Sequence, residues 1–257
     1  MELGVIRELE FCILLLAVAI TLFAGIVKGA VGFAMPLIMV SLIGTIMEPK
    51  LALASIIIPI VFSNIYQSLR TGAFQAILVL RDYYRYIAVT CLFIFLAAQI
   101  VPFVSTKAFY FILGIPVIVL SLIQILGIEV KIKHANRKVY EWIVGSVSGL
   151  LGGLAGTWGP TTVLYLLAID TPKNKQSIVQ GVIYGMGALM LMAGHITSGI
   201  LNSETVLLSI FLLLPAIIGM WIGFKIQDSL SQEHFQKITL VILLIAGIKL
   251  IRLGLAV

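Results

Sequence analysis

Lys28 stands inside a run that is otherwise apolar, Gly25-Ile26-Val27-Lys28-Gly29-Ala30-Val31-Gly32-Phe33, with Pro36 three residues further on. A cation in such a run marks a functional position by default: a substrate site, an ion path or a gate. The alternative is a side chain that snorkels to a polar boundary. A second run, Gly149, Gly153, Gly156 and Pro160, repeats the same G-x3-G-x2-G-x3-P spacing, each position offset by 124 residues, and carries Thr157, Trp158, Thr161 and Thr162. Glycine and proline interrupt helices, and proline is tolerated in a helix's first turn, so Pro36 and Pro160 are expected to begin second half-helices after a break. Helix N-termini carry unpaired N–H groups and partial positive charge. Two such starts that meet would cradle a small anion, with the glycines letting backbone approach it and the threonines adding hydroxyl donors. The expected binding set is Lys28, Gly29, Gly32, Phe33, Pro36, Gly153, Gly156, Thr157, Trp158, Pro160, Thr161 and Thr162, with Trp158 as a gate or wall. For the paired glycines the competing reading is close helix packing, which is preferred for Gly181/Gly185 and Gly219/Gly223.

Further polar residues share helical faces: Asn64, Gln67 and Thr71 in one apolar block, Gln180, Tyr184 and Gly187 in another. Either stripe lines a cavity or supplies hydrogen bonds between helices. His195 is a candidate proton relay, or else a satisfied structural histidine. No metal site is expected: there is no H-E-x-x-H, and His134, His195 and His234 are scattered. A P-loop and a G-x-G-x-x-G are also absent, so no cofactor, no ATP-driven cycle and no enzyme activity are expected. Cys12 and Cys91 both lie in apolar runs and read as small hydrophobes.

The elements that must position these residues are membrane helices. Of 257 residues, 61% are apolar and 11% charged, against about 45–50% and about 25% in soluble domains. Eight apolar blocks run roughly Phe11–Met47, Leu51–Leu69, Tyr86–Phe103, Ala108–Ile128, Trp142–Ile169, Ile178–Ile200, Val206–Ile226 and Ile238–Leu255, with a short interfacial stretch at Phe74–Leu80. About 20 apolar residues cross a bilayer as a helix, and the alternating pattern of a β-barrel is missing. The first block, 37 residues, would be about 55 Å long as one helix, far more than one crossing needs. The start, with Glu2, Arg7, Glu8 and Glu10, is acidic and reads as a retained membrane segment, not a signal peptide. The net charge of +6 records orientation and does not call for a nucleic-acid partner.

The expected fold is therefore an all-α polytopic membrane protein of two tandem repeats, 1–128 and 142–257, joined by a basic loop at 129–141. Each repeat has a Gly/Pro-broken helix and about three full transmembrane helices. Glu48-Pro49-Lys50 after the first motif and Thr171-Pro172-Lys173 after the second strengthen the repeat. If each broken segment crosses once, basic residues divide ten against six; if it folds back as a hairpin, they divide eleven against five. The sharper bias favours hairpins, hence inverted repeats, with both termini outside. Interrupted segments at corresponding places in two halves point to a transporter's binding site.

The two motifs, together with Gly219-Met220-Trp221-Ile222-Gly223, a polar loop, Phe235 and an apolar final helix, resemble the sulfite exporter TauE/SafE family over essentially the whole chain. The resemblance implies transport of sulfite, sulfoacetate or other organosulfonates across a prokaryotic cytoplasmic membrane. The partners expected are a small anionic substrate and the lipid bilayer. A coupling proton or other ion, and a homodimer, stay open. The rival readings are an uncoupled anion channel or facilitator, and a membrane scaffold.

Overall fold

The computed structural model describes residues 10–69, 72–127, 136–226 and 232–257. Thr71, His134 and Lys131 fall outside these, as do the 1–9 start and most of the 129–141 loop. Among the described residues the chain is helical with no strand. The helices are α1 Phe11–Val31, α2 Met35–Ile43, α3 Pro49–Leu69, α4 Ala73–Asp82, α5 Tyr84–Ala98, α6 Thr106–Ile125, α7 Arg137–Ala155, α8 Gly159–Ala168, α9 Lys173–Thr197, α10 Thr205–Ile226 and α11 Gln232–Ala256. Six helices are long and apolar enough to cross a bilayer: α1, α3, α5, α6, α9 and α10. In hydrocarbon every backbone N–H and C=O must find a partner inside the protein, and a helix is the local solution. The outward faces carry Phe11, Leu15, Phe62, Leu92, Leu96 and Leu214, all exposed, as a lipid-facing surface requires.

Apolar surface gains little by leaving lipid, so close backbone approach has to hold such helices together. Here the paired glycines act. Gly25 faces Ala216 and Gly219, and Gly29 faces Met220 and Gly223, so α1 and α10 lie side by side and parallel. Gly149 faces Thr90 and Phe93, and Gly153 faces Ile94 and Ala97, which sets α7 parallel to α5. Gly181 meets Gln67 and Ser68 while Gly185 meets Asn64 and Ser68, so α9 runs opposite to α3. Gly247 meets Val117 and Ile118 while Gly254 meets Lys107 and Tyr110, so α11 runs opposite to α6.

The prolines within helices are compensated from outside. Pro59 has no N–H to give the Ser55 carbonyl one turn back. Ser209 of α10 donates to that carbonyl at 3.0 Å and accepts from the Ile58 N–H at 2.9 Å. With the Tyr66–Phe224 ring contact at 5.9 Å near the other ends, α3 and α10 run parallel.

Short bonds between chain ends define two faces. Lys50 Nζ donates to the Pro102 carbonyl at 2.9 Å, putting the start of α3 beside the end of α5. On the opposite face, Arg137 donates to the Asp82 carbonyl at 3.3 Å, Arg85 pairs with Glu141 at 3.3 Å, and the Tyr83 and Thr171 hydroxyls are 3.5 Å apart. The starts of α5 and α7 and the link from α8 to α9 therefore share that face.

Candidate functional site

Helix α1 stops where the sequence requires. Gly32 adopts φ 86° and returns its N–H to the Lys28 carbonyl at 2.8 Å, closing the helix with a left-handed cap. Ala34 follows at φ 75°, a conformation that costs a residue with a Cβ on the order of 1 kcal/mol or more. The chain then re-enters a helix at Met35 with Pro36 in its first turn. At the second motif Gly156 (φ 68°) caps α7 through its N–H to Gly152 O, and α8 starts at Gly159 with Pro160 behind it. The expected half-helices Pro36–Met47 and Pro160–Ile169 correspond to α2, which ends in a turn at Ile43, and to α8.

The last turn of α1 carries Lys28, only 2% exposed. Its Nζ donates to Asn64 Oδ1 and, at 3.0 Å, to Gln67 Oε1, both on α3. The Tyr184 ring of α9 lies 5.8 Å from the same nitrogen. An ammonium has no acceptor, so it fixes both amides with their oxygens inward. Asn64 Nδ2 then donates to the Tyr184 carbonyl at 3.4 Å, while buried Gln67 Nε2 has no protein partner. Gln67 and Gln180 both flank Gly32. Among the described residues no carboxylate pairs with Lys28.

Tyr184 joins this cluster to the second break, for its hydroxyl donates to the Gly159 carbonyl at 3.1 Å. There Trp158 is buried against Gly152 and Gly187, and its indole N–H has no protein partner. The Thr161 and Thr162 hydroxyls both donate to the Trp158 carbonyl, at 2.9 and 2.8 Å, so they hold the α8 start together. Thr157 is buried and contacts the Leu151 carbonyl at 3.5 Å.

Other expected site residues lie elsewhere. Gly29 and Gly153 turn toward α10 and α5, and a Cβ on either would strike a backbone carbonyl, Met220 O or Ile94 O. Phe33 is buried in the core at the first break. His195, fully buried, has Nδ1 3.4 Å from Ser198 Oγ just past the end of α9, contacts the Gly153 backbone of α7, and makes no hydrogen bond to the Lys28 cluster.

Sequence reading missed a polar chain leading away from Thr162. Tyr86 OH bonds Ser148 Oγ at 2.8 Å and Thr162 Oγ1 at 3.1 Å, and its ring stacks on Tyr165 at 4.3 Å. Tyr165 OH donates to Glu141, a buried carboxylate that also accepts from Arg137 at 2.9 Å and pairs with Arg85. Glu141 was assigned to the connecting loop by sequence; it lies in the first turns of α7, which begins at Arg137.

An all-helical chain with six apolar spans and buried polar groups at two helix interruptions has the form of a multi-pass membrane protein. The family model for the sulfite exporter TauE/SafE matches residues 17–250, and the chain belongs to that family of membrane transporters. No curated protein and no solved structure matches it.

Proposed function

We propose that the chain is a secondary transporter that carries a small sulfur-containing oxyanion, sulfite or an organosulfonate such as sulfoacetate, through a prokaryotic cytoplasmic membrane by alternating access. The observation that carries the anion reading is Lys28: a buried basic side chain that, among the described residues, hydrogen-bonds two neutral amides and pairs with no carboxylate. An isolated charge is costly away from water unless something of opposite sign joins it. An oxyanion supplies that charge. Its oxygens also suit two of the buried donors without a protein partner, Gln67 Nε2 and Trp158 Nε1. Lys28, Gln67 and Gln180 on one side and Tyr184, Trp158 and the α8 start on the other form the site. All are buried, as in an occluded state.

Inverted repeats support the cycle. With α10 parallel to α3, and α1 parallel to α10, α1 starts on the same face as α3. The pair α1–α2 then leaves and returns to one face as a hairpin. By the same logic α7–α8 is a hairpin from the opposite face, where Glu141 and Thr171 both lie. The contacts α1·α10 and α5·α7 exchange under the 124-residue offset, and α3·α9 and α6·α11 map onto themselves. The basic residues Arg81, Arg85, Arg137 and Lys138 favour a cytoplasmic second face.

Uptake of radiolabelled sulfite into proteoliposomes tests the reading. Saturable uptake lost in Lys28→Met supports it. Equal uptake by protein-free vesicles, with neither sulfite nor sulfoacetate stabilising the protein, contradicts it.

A further inference from the structure

The buried Lys28 site stays electrically neutral only if the lysine loses a proton when the anion leaves. We propose that Lys28 is the coupling group: it takes up one proton with the anion and releases it with the anion, so the cargo moves together with a proton. This rests on the anion-transport reading above and extends it to the coupling ion.

Four observations bear on it. First, among the described residues every group in contact with Lys28 Nζ is neutral: Asn64 and Gln67 from α3, and the Tyr184 ring from α9, while neutral Gln180 lies nearby beside Gly32. Helix α2 carries no ionisable side chain. On α10, Lys225 sits over the Trp221 ring at 3.4 Å on the outer surface. On α11, Lys249 and Arg252 are exposed. Second, the described carboxylates are committed or exposed. Glu141 is held by Arg85 and Arg137, and Glu48 and Asp82 face outward. Among the described residues no internal counter-ion is there to balance a permanent ammonium. Third, Lys28 makes two donor bonds, which is the full donor capacity of a neutral amine; an ammonium has a third N–H to place. Fourth, the His195 ring contacts Ser198 at the end of α9 and the Gly153 backbone of α7, and makes no hydrogen bond to Lys28, Asn64 or Gln67.

The step balances. With the site open to one side, the amine of Lys28 takes a proton from water, an N–H bond forms, and the ammonium's third N–H meets an anion oxygen. The pair is neutral and crosses as one unit. On the other side the anion leaves, the N–H bond breaks, the proton passes to water, and the neutral amine rests on Asn64 and Gln67. A monoanion is thus carried without net charge.

The test uses the full chain in proteoliposomes with methanesulfonate, a strong-acid monoanion that cannot bring its own proton. The membrane potential is clamped at zero with potassium and valinomycin. An inward proton gradient of one pH unit should concentrate methanesulfonate inside toward about tenfold at one-to-one coupling. With no pH gradient, an imposed potential should concentrate none. Lys28→Arg, whose guanidinium stays protonated, should keep the anion-induced rise in thermal stability and lose the pH-driven accumulation. Accumulation driven by potential and indifferent to pH overturns the proposal while leaving anion transport intact. So does undiminished pH-driven accumulation in Lys28→Arg. If the wild type neither takes up nor is stabilised by methanesulfonate or sulfite, the transport reading fails and the coupling with it. The wild-type measurements decide the question even where the variant does not fold.

Discussion

Lys28 Nζ lies 3.0 Å from Gln67 Oε1, joining the last turn of α1 to α3 across the site. The bond makes a neutral amide the partner of a buried lysine, and it points the other end of that amide, Nε2, away as a donor without a protein partner. Lys28 thus fixes the orientation of the donor beside Gly32 as well as offering its own N–H groups.

Replacing the lysine by an apolar residue of similar length should leave the fold in place. Exchanging a buried charge for hydrophobic volume is often neutral or stabilising by about 1–4 kcal/mol, though here two amide oxygens lose their donor. Lys28→Met is expected to melt within a few degrees of the wild type and to show no sulfite uptake. A collapse of the folded state would mean the lysine is chiefly structural.

The glycines should separate by what they face. At Gly29 and Gly153 a Cβ meets backbone carbonyls of α10 and α5, which cannot move alone, while at Gly159 the closest neighbours are the Tyr184 phenol atoms at 3.7 and 3.8 Å. Gly29→Ala and Gly153→Ala are expected to destabilise by about 2 kcal/mol or more, and Gly159→Ala by less than about 1 kcal/mol. Thermal denaturation in detergent reads the order, and equal effects at all three would contradict the packing described.

Removing the charge of Glu141 should loosen the N-terminal end of α7. Its carboxylate holds Arg85, Arg137 and Tyr165, and the two arginines are about a quarter exposed, so water screens part of the loss. Glu141→Gln is expected to cost about 1–3 kcal/mol, in thermal melts, and to increase proteolysis near the 129–141 loop. A variant as stable as wild type would make this network incidental.

The hairpins predict sidedness. In a chain with Cys12 and Cys91 replaced, single cysteines at Glu10 and Glu48 should react with an impermeant maleimide from the same side of the membrane, and cysteines at Tyr84 and Asp170 from the other. All four positions are exposed. Labelling of Glu10 and Glu48 positions from opposite sides would mean that α1–α2 crosses once.

Much of this was legible in the sequence because glycine and proline act locally. The left-handed cap at Gly32 and the first-turn prolines fix where helices stop and start, whatever surrounds them. Asn64 and Gln67 showed as a stripe by helical spacing alone. What spacing could not give is partnership. Gly29 and Gly153 sit in the same motif as the break, yet they face neighbouring helices, a fact that depends on which helix lies opposite. Thr161 and Thr162, expected as free donors, spend their hydroxyls on the Trp158 carbonyl. Tyr86, Ser148 and Tyr165 carry no local signal, since a single polar tip in an apolar block reads as packing. The expected cradle was symmetric as well. At the motif's 124-residue offset Lys28 corresponds to Gly152, and at the 123-residue offset of the Pro-Lys pairs that follow, Asn64 and Gln67 correspond to Gly187 and Met190, so the charged half of the site belongs to one repeat only.

The most direct measurement is the thermal stability of the purified protein against sulfite, sulfate, sulfoacetate, taurine, phosphate, chloride and acetate, for the wild type and Lys28→Met. A ligand that binds only the folded state raises stability by about 2.7 kcal/mol at a hundred times its Kd. The account predicts a saturable rise with sulfite or a sulfonate in the wild type and none in Lys28→Met. A folded wild type that no anion stabilises, or a variant stabilised equally, would contradict it.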